Sequence, residues 1–181
     1  MSGYKISIDD AKEKTVDLFL FMGQSNMAGR GIVNKAHNEG APGLIQGAGY
    51  EYRAVSSPDR LYEISEPFGR RENRKGGIDD GNMKTGSMVT AFVNAYYRKT
   101  GIPIVGISAS KGGSRIDMWQ PGGGFLKDTI SRLDAAVEFL NANHYAVRHK
   151  FMLWCQGESD GDISKTGEQY RREFEKMLDA M

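Results

Sequence analysis

Three short apolar runs in this chain each end in a polar, glycine-bearing cluster, and that recurrence constrains the fold more than any other feature. Val16-Asp17-Leu18-Phe19-Leu20-Phe21-Met22 stops at Gly23 and is followed by Gln24-Ser25-Asn26. Pro103 to Ser108 leads into Ser110-Lys111-Gly112-Gly113-Ser114, and Phe151 to Cys155 into Gln156-Gly157-Glu158-Ser159-Asp160. Runs of this length and character suit strands buried on both faces. Helical patterns lie between and after them. Met88, Phe92, Ala95 and Tyr96 recur at helical spacing before Gly101, a C-terminal cap, and Leu126, Ile130, Leu133, Val137 and Leu140 alternate steps of four and three. Thr166 and Gln169 have capping-box spacing, and Tyr170, Phe174, Met177 and Leu178 supply an apolar face behind them. Strand alternating with helix predicts an α/β fold, a three-layer α/β/α arrangement on a mostly parallel sheet. Ligands bind such sheets at the carboxyl ends of the strands, so the three clusters are expected to converge on one edge.

The 181 residues suffice for one domain, 1–181, with a sizeable core. Residues 33–81 are polar and turn-rich, broken by Pro42-Gly43, Ser57-Pro58-Asp59 and Arg74-Lys75-Gly76-Gly77. A long loop near the active edge is expected there, with a hairpin around Tyr50 to Ile64. A net charge of +1 supplies no basic excess for nucleic acid or anionic lipid and suits a neutral, sugar-like substrate. Cys155 is the only cysteine, so neither an intrachain disulfide nor a CxxC-type zinc site can form. The run before Gly23 lacks a small-residue cleavage site, and nothing reaches the about eighteen apolar residues of a membrane helix. A cytoplasmic protein without membrane contact is expected.

The clusters carry chemistry. Ser25, at a strand-to-helix turn, would expose its hydroxyl and offer its own N–H to negative charge, as a nucleophilic serine requires. A serine that merely caps a helix has the same look, and the lipase-type elbow is not met because position 27 is Met. Gly112-Gly113 could present a backbone N–H to an oxyanion or form an ordinary turn. Gln156 could add a side-chain donor or simply close its strand. Glu158 and Asp160 are candidates to orient a base, or solvated loop acids.

Phe21-Met22-Gly23-Gln24-Ser25-Asn26-Met27-Ala28-Gly29-Arg30-Gly31 resembles the first block of the sialate O-acetylesterase and acetylxylan esterase group (carbohydrate esterase family 6-like) of the SGNH hydrolases. Lys111-Gly112-Gly113-Ser114-Arg115-Ile116-Asp117-Met118-Trp119 is similar to the second block, and Trp154-Cys155-Gln156-Gly157-Glu158-Ser159-Asp160 to the third. The resemblance implies a flavodoxin-like sheet and a carbohydrate O-acetyl esterase working without metal or organic cofactor. It implies that Ser25 attacks an acetyl ester while its N–H, a Gly112 or Gly113 N–H and the Gln156 side chain bind the oxyanion. Glu158 would help to hold the catalytic histidine. Gln24, Asn26, Arg115 and Trp119 would lie at the sugar-binding edge, with Trp119 equally readable as a core aromatic.

The family's fourth block, an Asp-x-x-His that supplies the base and its orienting carboxylate, has no counterpart here. The residues three before His37, His144 and His149 are Asn34, Asn141 and Ala146. His144 and His149 precede the third apolar run and are expected at its amino end, about 20 Å from Gln156 at ~3.3 Å per residue. His37, in the loop after the first block, is the substitute on the correct side. The resemblance implies that the final strand and helix carrying Asp-x-x-His are missing. The alternative is a non-catalytic carbohydrate-binding or scaffold protein that has lost the base.

Overall fold

The computed structural model of the protein describes residues 14–33 and 40–181. Its centre is a five-stranded sheet in the order β3-β2-β4-β1-β5. The strands are β1 (Lys14–Gly23), β2 (Gly49–Arg53), β3 (Ser57–Glu63), β4 (Ile104–Ser110) and β5 (Tyr145–Cys155). β4 and β5 flank β1 in parallel, β2 joins β4 in parallel, and only β3 runs antiparallel, as the outer arm of a hairpin with β2. The expected α/β architecture is present. No helix among the described residues is long and apolar enough to cross a membrane.

β1 is buried from Val16 to Gly23 and β4 throughout, as central strands covered on both faces should be. Alternate residues feed two cores. Val16, Leu18, Leu20 and Met22 join Val105 and Ile107 beneath α3 (Gly124–Ala142) and α5 (Gly167–Leu178). Phe19 and Phe21 point the other way, with Ile104, toward Val89 and Val93 of α2 (Val89–Thr100). Phe19 packs against Phe92, Tyr96 and Phe151 at centroid distances of 5.3, 5.0 and 4.8 Å, so a cluster of rings locks the α2 face. Gly101 closes α2 in the left-handed conformation, and Thr166 with Gln169 forms the capping box that opens α5. Both signals act as their sequences predict.

Three features differ from expectation. β2 extends the sheet by pairing with β4 as well as with its hairpin partner, an arrangement no local pattern encodes. β5 begins at Tyr145 instead of Phe151; it pairs with β1 alone, and Arg148, His149 and Lys150 are exposed, which removes the apolar signature from its first half. His149 therefore lies within the strand. Finally, the connection from Ile64 to Met88 is bound down by two carboxylates: half-buried Glu66 accepts from Ser87 N–H and Oγ, and buried Glu72 from Val55 N–H, Ser56 N–H and Ser56 Oγ. Buried Arg132 on α3 adds bonds to the carbonyls of Ser108 and Glu72, each at 2.8 Å, tying that connection to β4.

Candidate active site

The three clusters meet where the sheet topology puts them. Gly23 is paired with Ser110 on one side and Cys155 on the other. Lys111 N–H donates to the Gly23 carbonyl and Gln24 N–H to the Cys155 carbonyl, both at 2.9 Å, so the chains leaving β4, β1 and β5 start from one corner. Gly23 sits at φ +137°, and a Cβ there would fall 2.0 Å from the Cys155 carbonyl oxygen, so the turn into the nucleophile candidate demands glycine. Ser25 then opens the single turn α1 (Ser25–Ala28), partly exposed. Among the described residues neither its hydroxyl nor its N–H has a hydrogen-bond partner.

The glycine loop after β4 separates its donors. Gly112 N–H is occupied by the carboxylate of Asp80 at 3.0 Å, and Ser114 N–H by the Lys111 carbonyl at 3.3 Å. Gly113 lies between them, exposed, at φ +70°, with its N–H unpaired among the described residues. Of the two glycines, Gly113 is the one with a donor to offer.

Gln156 corrects the sequence expectation. Its Nε2 faces the Ser114 carbonyl (2.9 Å), Gln24 Oε1 (3.0 Å) and Asp160 Oδ2 (2.6 Å), and Tyr170 Oη donates to its Oε1 at 2.8 Å. Two amide hydrogens among three acceptors leave none for an oxyanion, so Gln156 braces the loops instead of lining the hole. Gln24 is corrected likewise. It is buried, and its Oε1 accepts from Gln156 Nε2 and from the N–H groups of Gly157 (3.4 Å) and Ser159 (3.2 Å), which removes it from any substrate surface.

Trp119 is fully buried, packs on Phe125 and Trp154, and donates its indole N–H to Ser114 Oγ at 3.0 Å. It is a core aromatic supporting the glycine loop, not a sugar platform. Asn26, Glu158 and Arg115 stay at the surface of the site: Asn26 Nδ2 donates to Glu158 Oε1, and the Arg115 guanidinium meets Asp117 at 3.1 Å. Glu158 thus engages Asn26. His149 and His144 lie toward the amino end of β5, opposite the corner, and His37 lies outside the described residues. Among the described residues no group of three His, Cys, Asp or Glu side chains could hold a metal ion.

Two residues important to the corner carried no sequence signal. Asp80 takes Gly112 N–H together with the Arg30 guanidinium at 2.8 Å. Lys84, buried, donates to Ser108 Oγ (2.7 Å) and Ser110 Oγ (3.1 Å); burial brings its ammonium down to about 8, with the nearby Asp80 charge only partly opposing. Both sit in a connection whose polar, turn-rich composition looks like any surface loop.

A family model described as SASA, carbohydrate esterase, sialic acid-specific acetylesterase, matches residues 15–181. The chain belongs to that family. Its fold is that of a protein from Arabidopsis thaliana known by its crystal structure, at 24% identity and a TM-score of 0.66, covering 93% of this chain and 67% of that one. NanS shares the fold at 11% identity and a TM-score of 0.54, covering 95% and 66%. A carbohydrate acetylesterase from Xanthomonas citri matches at 20% identity and a TM-score of 0.46, covering 90% of this chain and 37% of its own. The chain therefore spans about two thirds of the first two and far less of the third. No curated protein matches it. It is thus a member of a carbohydrate esterase family, and Ser25, Gly113 and Glu158 lie at the carboxyl edge of its sheet.

Proposed function

We propose that this esterase-family chain removes acetyl groups from a carbohydrate by means of Ser25, through an acetyl-serine intermediate. The observation that carries the reading is the pair of backbone donors without a partner among the described residues, Ser25 N–H and Gly113 N–H, at the corner that also presents the Ser25 hydroxyl, likewise without a partner among them. Ser25 Oγ attacks the acetyl carbonyl carbon while a base takes its proton. The two N–H groups stabilise the oxyanion, and the ester C–O bond breaks to release the sugar hydroxyl, which receives that proton. Water then attacks the acetyl-serine, giving acetate and restoring Ser25. The acid-bearing sugars named in the family description make acetylated sialate the first substrate to try, with acetylated xylan fragments second.

The base is the open step. At ~3.3 Å per residue Gln156 lies about 23 Å along the strand direction from His149 and about 40 Å from His144, both toward the other end of β5, so neither serves Ser25. That observation favours a second reading, a carbohydrate-binding protein that keeps the loops without turnover. Acetate release from acetylated sialate and from an aryl acetate, measured for the protein and for Ser25→Ala, decides between them. The esterase reading expects release that Ser25→Ala abolishes, and equal release from both proteins would sink it. Saturable sugar binding with no release from either protein would favour the binder.

A further inference from the structure

Asp80 lies outside all three motif blocks, yet the glycine loop depends on it. Its buried carboxylate accepts Gly112 N–H at 3.0 Å and the Arg30 guanidinium at 2.8 Å, and Lys111 Nζ stands 3.9 Å from its other oxygen. The post that carries it is rigid. Asp80 N–H and Gly81 N–H both donate to Asn73 Oδ1, at 3.1 and 2.6 Å, and Gly81 is packed so tightly that a Cβ would come within 2.0 Å of the Arg70 carbonyl oxygen. Lys111 Nζ adds a bond of 2.6 Å to the Asp79 carbonyl, and Lys84 fastens the same segment to Ser108 and Ser110 from below. On the far side of the loop a second buried carboxylate, Asp160, takes Ile116 N–H at 2.9 Å. The loop is therefore gripped on both sides of Gly113, whose N–H, unlike that of Gly112, has no partner among the described residues.

We infer that Asp80 is a positioning residue of the oxyanion hole: by holding Gly112 N–H it fixes the Gly112-Gly113 turn so that Gly113 N–H is presented to the ester oxygen. The inference rests on the reading of Ser25 as nucleophile. A glycine pair has almost no conformational preference of its own, so the turn needs an external hold. Displacing a transition-state donor by on the order of 1 Å costs about 10²-fold in rate, and losing one outright about 10²- to 10³-fold.

The test uses an aryl acetate and reads the maximal rate of acetyl transfer to Ser25, separately from the ester concentration that gives half of it. Asp80→Ala should lower the maximal rate by about 10- to 100-fold with the half-saturating concentration little changed. Asp80→Asn, whose amide oxygen can still accept Gly112 N–H, should recover most of the loss. Amide hydrogen exchange supplies a readout that needs no turnover: in the unsubstituted protein Gly112 N–H is protected and Gly113 N–H is not, and Asp80→Ala should expose Gly112 while amides of β1 and β4 stay protected. An unchanged maximal rate, a loss confined to the half-saturating concentration, an Asn variant no better than Ala, or a Gly112 amide already unprotected would each overturn the assignment. If Ser25→Ala keeps full acetyl transfer, the nucleophile reading fails; if it loses transfer while Asp80→Ala does not, only the Asp80 inference fails.

Discussion

Gly23 and the two glutamines show what single residues decide in this corner. Gly23 combines a backbone angle that side-chain-bearing residues avoid with contact against the Cys155 carbonyl, where an added Cβ would lie 2.0 Å from oxygen. Gly23→Ala should therefore destabilise the fold by more than about 3 kcal/mol, since strain and overpacking act on two central strands together. A shift of the urea unfolding midpoint measures it, and a midpoint within experimental error of the unsubstituted protein would refute the geometry. The need for glycine here is legible from the sequence, because an apolar run ending in Gly-x-Ser calls for a tight turn. The roles of Gln24 and Gln156 are not. A carboxamide carries two donors and an acceptor in any setting, and whether it faces substrate or a neighbouring loop depends on partners that only the assembled fold supplies.

Among the elements, β1 and β5 are joined at their amino ends by a polar lock set in an apolar strand. Asp17, fully buried on β1, accepts from the Arg148 guanidinium of β5 through both oxygens, at 3.1 and 2.5 Å, and from Tyr96 Oη of α2 at 2.5 Å. Burial pushes the Asp17 carboxyl up, but the hydrogen bonds from Arg148 and Tyr96 with the Arg148 charge outweigh it and hold the group below its ordinary value of 3.8. A depressed acid contributes stability above its unfolded value, and that contribution is lost as pH falls through the folded one. Asp17→Asn should thus be less stable than the unsubstituted protein at neutral pH, with the gap closing below about pH 4; urea unfolding at both pH values checks this, and a gap independent of pH would refute the charge-based account. The same region shows why element boundaries escaped the sequence. Tyr145 to Lys150 pairs on one side only and turns charged side chains to water, so its strand character rests on backbone pairing with β1 and leaves no apolar alternation to read. The hairpin of β2 and β3 falls where it was expected, around Tyr50 to Ile64, but Ser57-Pro58-Asp59, read as a break, begins β3 and the turn lies at 54–56. The parallel docking on β4 was not legible, because that choice is made between segments far apart in the chain.

At the scale of the whole molecule, a parallel sheet brings three loops to one corner, and the chemistry follows from what each loop leaves unpaired. The convergence was legible, since strand ends in an α/β sheet share an edge whatever the details of packing. Which donors remain free was not, because Asp80 claims one glycine N–H and spares the other. On the proposed reading, a serine and two backbone donors with no histidine at their end of the sheet among the described residues would retain the part of catalysis that comes from electrostatics and binding, and would lack the proton transfer. Small imidazole added to the solution can supply that transfer if the corner is open, as the exposure of Asn26, Gly113 and Glu158 indicates. Imidazole at tens of millimolar should therefore raise aryl acetate turnover by the 181-residue chain, on the order of 10-fold or more given what a positioned base usually contributes. Ser25→Ala measures the background from imidazole in free solution and should show none of the additional rate. If the chain turns over fully without imidazole and gains nothing from it, a base already acts at the corner, and His37→Ala then tells whether the histidine of the 33–81 loop provides it.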